Sequence, residues 1–129
     1  MKKKSDEKLK IIPLGGLEQI GMNITAFECQ DSIVLVDCGL AFPEDDMLGV
    51  DLVIPDVTYL LENADKVKGL CITHGHEDHI GAIPYILKQI NMPIYATKLT
   101  NGLIENKLKE HGMLRTVKRK VVKYGQHIN

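Results

Sequence analysis

Ile72-Thr73-His74-Gly75-His76-Glu77-Asp78-His79-Ile80-Gly81 joins two unlike patterns in this chain. Apolar Leu70-Cys71-Ile72 runs into it, and an amphipathic segment, Ile80 to Ile90, runs out. Between them stand three imidazoles and a carboxylate: His74, His76, Asp78 and His79. That donor set is well suited to zinc and workable for manganese or iron. A single helix face would space its ligands at i and i+4, as in HExxH; here His74 and His76 are two apart, and Asp78 and His79 are adjacent. The spacing fits a tight loop between a strand and a helix, aiming successive side chains at two neighbouring points. The expectation is two metal ions, with His74 and His76 on one and Asp78 and His79 on the other. Gly75 would let the backbone turn between two bulky rings. One histidine alone would more often be an ordinary surface or core residue, and Glu77 and Asp78 also suit a helix start. It is the combination at a strand-to-helix junction that points to metal.

On the N-terminal side, Val67 to Thr73 reads as the strand feeding this loop, and Ser32-Ile33-Val34-Leu35-Val36, dense in β-branched residues, as a central strand. That strand ends in Asp37, an acid that a core accepts only when paired. Asn23 to Cys29 and Leu9 to Leu14 read as further strands, with Pro13 placing the latter near an edge or an end. Gly15-Gly16 and Gly21 bracket a turn. These glycines either make a plain hairpin-like loop or bring backbone close to the site rim. Leu40 to Asp56 has no clean period; its many acids and apolar residues suggest a loop folded over the sheet edge near the site. Tyr59 to Ala64 suggests a short helix begun by Asp56 or Thr58.

On the C-terminal side, Pro84 either bends the Ile80–Ile90 helix or marks where its main part begins. Pro93 to Ala96 reads as a short strand. Thr97 or Thr100 caps a helix that runs to His111 and stops at Gly112. Leu99, Leu103, Leu108 and Ile104 are its expected buried face, Gly102 a point of close packing, Glu105 with Lys109 a surface pair, and His111 a cap rather than a ligand. Thr116 to Tyr124 reads as an outer strand. Its Lys118, Arg119, Lys120 and Lys123 either meet nucleic-acid phosphate or form a solvated face that protects an edge.

The chain has 129 residues, 44% of them hydrophobic, and a formal net charge of -1, which carries no strong message about nucleic acid. No apolar run approaches the roughly 20 residues that span a bilayer. Met1-Lys2-Lys3-Lys4 is followed by Ser5-Asp6-Glu7-Lys8 instead of an apolar segment, so a cytoplasmic protein without a signal peptide is expected. Cys29, Cys38 and Cys71 are widely spaced and form no CxxC pair, which reads as buried free thiols. Cys38, next to Asp37, is the one placed near the metals.

The His74-x-His76-x-Asp78-His79 spacing resembles the signature of the metallo-β-lactamase superfamily. Leu14-Gly15-Gly16-Leu17-Glu18-Gln19-Ile20-Gly21-Met22-Asn23 is similar to the opening loop of the bacterial ribonuclease J family. Phe42-Pro43-Glu44-Asp45-Asp46-Met47-Leu48-Gly49-Val50-Asp51 and Ile54-Pro55-Asp56 resemble that family's next loop. The likeness runs from about Ile11 to at least Gly112.

The resemblance implies an α/β fold, an αββα sandwich with metals at one edge between two sheets. This chain would supply the first half: a mixed sheet with covering helices over residues 9–129, after a flexible tail at 1–8. The second sheet, the β-CASP domain and the C-terminal domain have no counterpart here. Nor do the third histidine, the bridging aspartate and the last histidine that complete the two metal sites. Strands meant to pack on both sides would then show apolar surface. The implied activity is metal-dependent hydrolysis of single-stranded RNA, 5′-to-3′ exonucleolytic and endonucleolytic, in mRNA decay and rRNA maturation, by dimers or tetramers of related subunits. Two divalent ions, zinc or manganese, would be held by His74, His76, Asp78 and His79. Asp78 would act with a metal-bound hydroxide, and Asp37 would orient ligands from behind. The isolated fragment is expected to be inactive. Two other readings stay open: another hydrolase of the same fold acting on a small ester, thioester or lactam, and a non-catalytic RNA-binding or subunit-interaction module.

Overall fold

Short runs of strand-formers alternate with helical segments, and together they build one six-stranded mixed sheet with its strands in sequence order. The computed structural model describes residues 8–17, 21–41, 49 and 55–128. Strands β1 (Leu9–Gly15), β2 (Ile24–Cys29) and β3 (Ser32–Val36) form an antiparallel meander, with Gln30 at φ 53° in the β2–β3 turn. From β3 onward the pairing is parallel, through β4 (Val67–Cys71) and β5 (Ile94–Ala96) to β6 (Arg119–Val121). The connections carry α1 (Thr58–Glu62), a 3-10 turn (Ala64–Lys66), α2 (Glu77–Ile80), α3 (Ile83–Gln89) and α4 (Lys98–Glu110). Each expected strand is therefore present, although the last spans only Arg119–Val121 of the expected Thr116 to Tyr124, and Pro13 lies on an edge strand. Most of the Leu40–Asp56 loop and, of the expected tail at 1–8, all but Lys8 fall outside the described residues.

Alternation along the strands sets the two faces of the sheet. Ile24, Ala26, Ile33, Leu35, Leu70, Ile72, Ile94 and Ala96 are buried in one core with Leu60, Ile80, Ile83, Ile86, Leu87, Ile104 and Leu108 of the helices. On the opposite face Leu9 and Ile11 are each 61% exposed, and Phe27, Val34, Val36 and Tyr95 are only part-buried. This is the open apolar surface that the sequence led us to expect. Cys29 shares that face and is exposed, and Cys71 is only part-buried, so of the three cysteines read as buried only Cys38 is. The strand position of Cys29 points away from the helices, as its register partner Leu9 does.

The helical segments start where proline and glycine place them. Gly81 and Ala82 separate α2 from α3, and Pro84 sits in the first turn of α3. A missing N–H costs nothing in a first turn, so Pro84 marks a beginning and not a kink. Asp56 opens α1 from outside the helix: its Oδ1 accepts from the Thr58 amide at 2.9 Å and the Thr58 hydroxyl at 2.6 Å. The hydroxyl of Tyr59 donates to the buried Glu28 carboxylate, and Lys66 lies 3.7 Å from it, tying this region to β2. Tyr59 first, then the lysines, hold Glu28 below the usual carboxylate range against the opposing effect of burial.

The face of α4 differs from the expected one. Thr100, Asn101, Ile104 and Leu108 are buried, whereas Leu99 is 79% and Leu103 44% exposed. The Asn101 amide donates to Ala96 O at 2.9 Å and Lys120 O at 3.1 Å. Those two bonds lock the first turn onto the ends of β5 and β6 and rotate Leu99 outward. Gly102 consequently faces open space instead of a packed neighbour. Glu105 pairs with Arg119 of β6 at 3.6 Å instead of with Lys109. At the far end, the His111 amide donates to Leu108 O and Gly112 adopts φ 68°, so His111 closes the helix as anticipated. Among the described residues no helix is long and apolar enough to cross a membrane.

Candidate metal centre

Because β3 and β4 run parallel, their carboxyl ends lie at the same edge of the sheet, the usual place for a ligand in such layers. The end of β3 delivers Asp37, and the end of β4 delivers the His74–His79 loop. Asp37 takes the left-handed conformation, φ 64°, which aspartate tolerates better than most residues. Its amide donates to Cys71 O at 2.8 Å, and its carboxylate turns beneath the loop. There it accepts the Thr73 amide at 2.8 Å, the Thr73 hydroxyl at 2.8 and 3.0 Å, and His79 Nδ1 at 2.7 Å. A carboxylate only accepts, so the proton of the His79 ring resides on Nδ1 and the lone pair on Nε2.

That lone pair borders a cluster of three further donors. Donor atoms of His74, His76 and Asp78 all lie within 4.8 Å of one another. His79 Nε2 is 3.5 Å from Asp78 Oδ2, and the His79 ring centroid is 3.8 Å from that of His74. His74 and His76 are exposed, while Asp78 and His79 are half-buried, so the donors face outward from a supported base. Imidazole nitrogens and a carboxylate oxygen converging at this range fit a divalent cation. The grouping differs from two separate pairs: Asp78 stands with both His74 and His76 and also beside His79. At Gly75 the nearest neighbour is not a flanking ring: a Cβ there would lie 2.3 Å from Leu103 Cδ1 of α4, the end of an exposed side chain that can turn aside. Glu77 turns away from the cluster and pairs with Lys107 of α4.

Three residues of this site escaped the sequence reading. Thr73 bridges Asp37 to the loop. Gly39 lets the segment after β3 press on the loop backbone, where a Cβ would fall 1.7 Å from Asp78 O. Asn23 donates through Nδ2 to Asp78 O at 3.0 Å and, more weakly, to Asp78 Oδ2 at 3.4 Å. Only Asn23 had a signal, its place at the end of the Gly15–Asn23 loop. Cys38 is buried beneath the loop, and burial first and Asp37 second push its thiol well above the ordinary range; a neutral thiol is a poor ligand. Of the basic candidates, Arg119 is engaged by Glu105 and Lys120 lies 5.6 Å over the Tyr95 ring, while Lys118 and Lys123 are exposed.

Asp37→Asn tests the support from below. An amide at this position either loses the Thr73 amide bond or presents a donor to His79 Nδ1–H. Metal affinity is expected to fall roughly 10–100-fold, as for other outer partners of metal-binding histidines. Competition with a chromogenic chelator measures it.

The profile of the metallo-beta-lactamase superfamily matches residues 23–125, a span that contains Asp37 and the whole ligand loop. This chain belongs to the metallo-β-lactamase superfamily. Within it, the chain is 57% identical over 105 residues to ribonuclease J 1 of Streptococcus pyogenes serotype M3, covering 81% of this chain and 19% of that protein. It is 58% identical over 109 residues to ribonuclease J of Synechocystis sp., covering 84% of this chain and 17% of that protein. The chain thus spans about a fifth of the length of these curated relatives. Among solved structures, human tRNase Z, short form, superposes with a TM-score of 0.55 at 18% identity, over 86% of this chain and 42% of that one; at such identity the likeness concerns the fold. Superfamily membership and the His-His-Asp cluster together assign divalent-metal binding to this chain.

Proposed function

We propose that this chain is the N-terminal portion of a ribonuclease J, a metal-dependent enzyme that hydrolyses RNA phosphodiester bonds. The observation that carries this reading is the 57–58% identity to two ribonucleases J across more than four fifths of the chain. It is supported by the cluster of donors at the sheet edge. His74, His76, Asp78 and His79 would hold two divalent ions, zinc or manganese. Such ions supply charge neutralisation at the phosphoryl oxygens and a nucleophile at neutral pH. The chain's own contribution is positional. Asp37 and Thr73 fix His79 with Nε2 outward, and the exposed His74 and His76 leave the face open to a strand. Neutral imidazoles also keep the negative charge near the phosphate low. The complete protein would act on single-stranded RNA, exonucleolytically from the 5′ end and endonucleolytically, in the cytoplasm and as an assembly of related subunits.

Four donors are fewer than two closed metal sites require. The 129 residues alone are therefore expected to turn over little or no RNA. The test uses the complete protein with manganese or zinc, offered 5′-monophosphorylated RNA and, separately, a small thioester. EDTA-sensitive cleavage of the RNA with negligible thioester hydrolysis supports the reading. The reverse preference would replace it with a small-ester hydrolase of the same fold.

A further inference from the structure

The glycine-bracketed turn between β1 and β2 has one end at the metal loop. Met22, at φ 53°, and Gly21, at φ 88°, carry the chain back toward the sheet, and Asn23 lands against Asp78. Its backbone is fastened on both sides: the Asn23 amide donates to Asp78 O at 3.1 Å, and its carbonyl accepts the Gly39 amide at 3.0 Å. The side chain has room because position 16 is glycine. A Cβ on Gly16 would sit 2.9 Å from Asn23 Oδ1, and Gly16 is itself at φ 87°. With Oδ1 turned to Gly16, Nδ2 faces Asp78 O at 3.0 Å, Asp78 Oδ2 at 3.4 Å and, at the longest range, His79 Nε2 at 3.5 Å. An oxygen in that place would confront a carbonyl and a carboxylate.

We infer that Asn23 is a positioning residue of the metal centre, orienting the Asp78 carboxylate from the side opposite to the Asp37 support of His79. The glycines of the loop then do more than form a turn, because they deliver this amide. Asn23 is neutral and only donates here, so it steers Asp78 without adding negative charge beside a phosphate. The inference rests on the metal-binding reading above, and it assigns the effect to the carboxylate oxygen, because the His79 ring is already held by Asp37 at 2.7 Å and Nδ2 approaches its Nε2 only at 3.5 Å.

That distinction sets the test. Carboxylate oxygen suits manganese, whereas imidazole favours copper. In the complete protein, Asn23→Ala is expected to weaken manganese(II) binding, followed by electron paramagnetic resonance, about tenfold, the lower end of outer-partner effects. Copper(II) binding should change less than twofold. Asn23→Ser, which keeps a polar group too short to reach Oδ2, should behave alike and serves if the alanine variant does not fold. Equal loss of both metals would mean a merely structural residue, and no loss of either would mean no role; both results overturn the inference. If the unsubstituted complete protein binds neither metal, the metal reading itself fails, an outcome distinct from a normal protein with indifferent Asn23 variants.

Discussion

Gly39→Ala is expected to cost the chain about 3 kcal/mol or more and to abolish metal binding with it, an effect at the upper end of overpacking. The new Cβ would lie 1.7 Å from Asp78 O and 2.9 Å from the His79 amide nitrogen. Both atoms are backbone, so no side chain can swing aside. The segment cannot easily retreat either, since the Cys38 amide donates to His79 O at 2.7 Å and the Gly39 amide to Asn23 O at 3.0 Å. Relief requires moving the start of α2, which carries two of the four ligands. Gly102→Ala provides the contrast. It adds a methyl to an exposed position of α4 with nothing within 4 Å. Alanine replaces glycine inside a helix there, and the change is expected to stabilise by roughly 0.5–1 kcal/mol. Urea unfolding of the two variants beside the unsubstituted chain should move the midpoints in opposite directions. Equal midpoints for Gly39→Ala and the parent would mean that the two backbones do not touch.

His76→Ala should leave the fold intact and remove the chemistry. His76 is exposed and precedes α2 without any side-chain cap bond, so its loss is a surface change, worth within about 0.5 kcal/mol. Its ring is nevertheless one of three donors that converge within 4.8 Å. Outer partners of metal-bound histidines typically cost 10–100-fold when removed. Loss of a direct ligand is expected to exceed that, so kcat/KM for RNA in the complete protein should fall by more than about 100-fold. Glu77→Gln, one residue further on, should stay within a few-fold of the parent, because Glu77 faces Lys107 and not the cluster. Comparable losses in the two variants would detach the activity from the geometry described above.

Much of the architecture could be read from the chain because its signals are local. The ligand loop announces itself by donor spacing between an apolar run and a helical pattern. The central strand β3 is a dense β-branched run, and Pro84 starts α3 by being unable to sit deep inside it. What could not be read depends on contacts made across the fold. The buried face of α4 is chosen by Asn101 bonding to Ala96 and Lys120, and no periodicity in the helix encodes that choice. Glu105 finds Arg119 on β6 before it finds its neighbour Lys109 on α4. Gly39 and Asn23 matter only because 39 and 55 positions later, respectively, the chain returns to place Asp78 against them. At Gly75 the atom a side chain would meet belongs to Leu103 on a later helix and not to the flanking rings.

The most direct measurement is anomalous scattering at the zinc or manganese edge from metal-soaked crystals of the complete protein. The account expects peaks within bonding distance of His74, His76, Asp78 and His79, with His79 Nδ1 still facing Asp37. Strong peaks elsewhere in the crystal and none at this loop would contradict it.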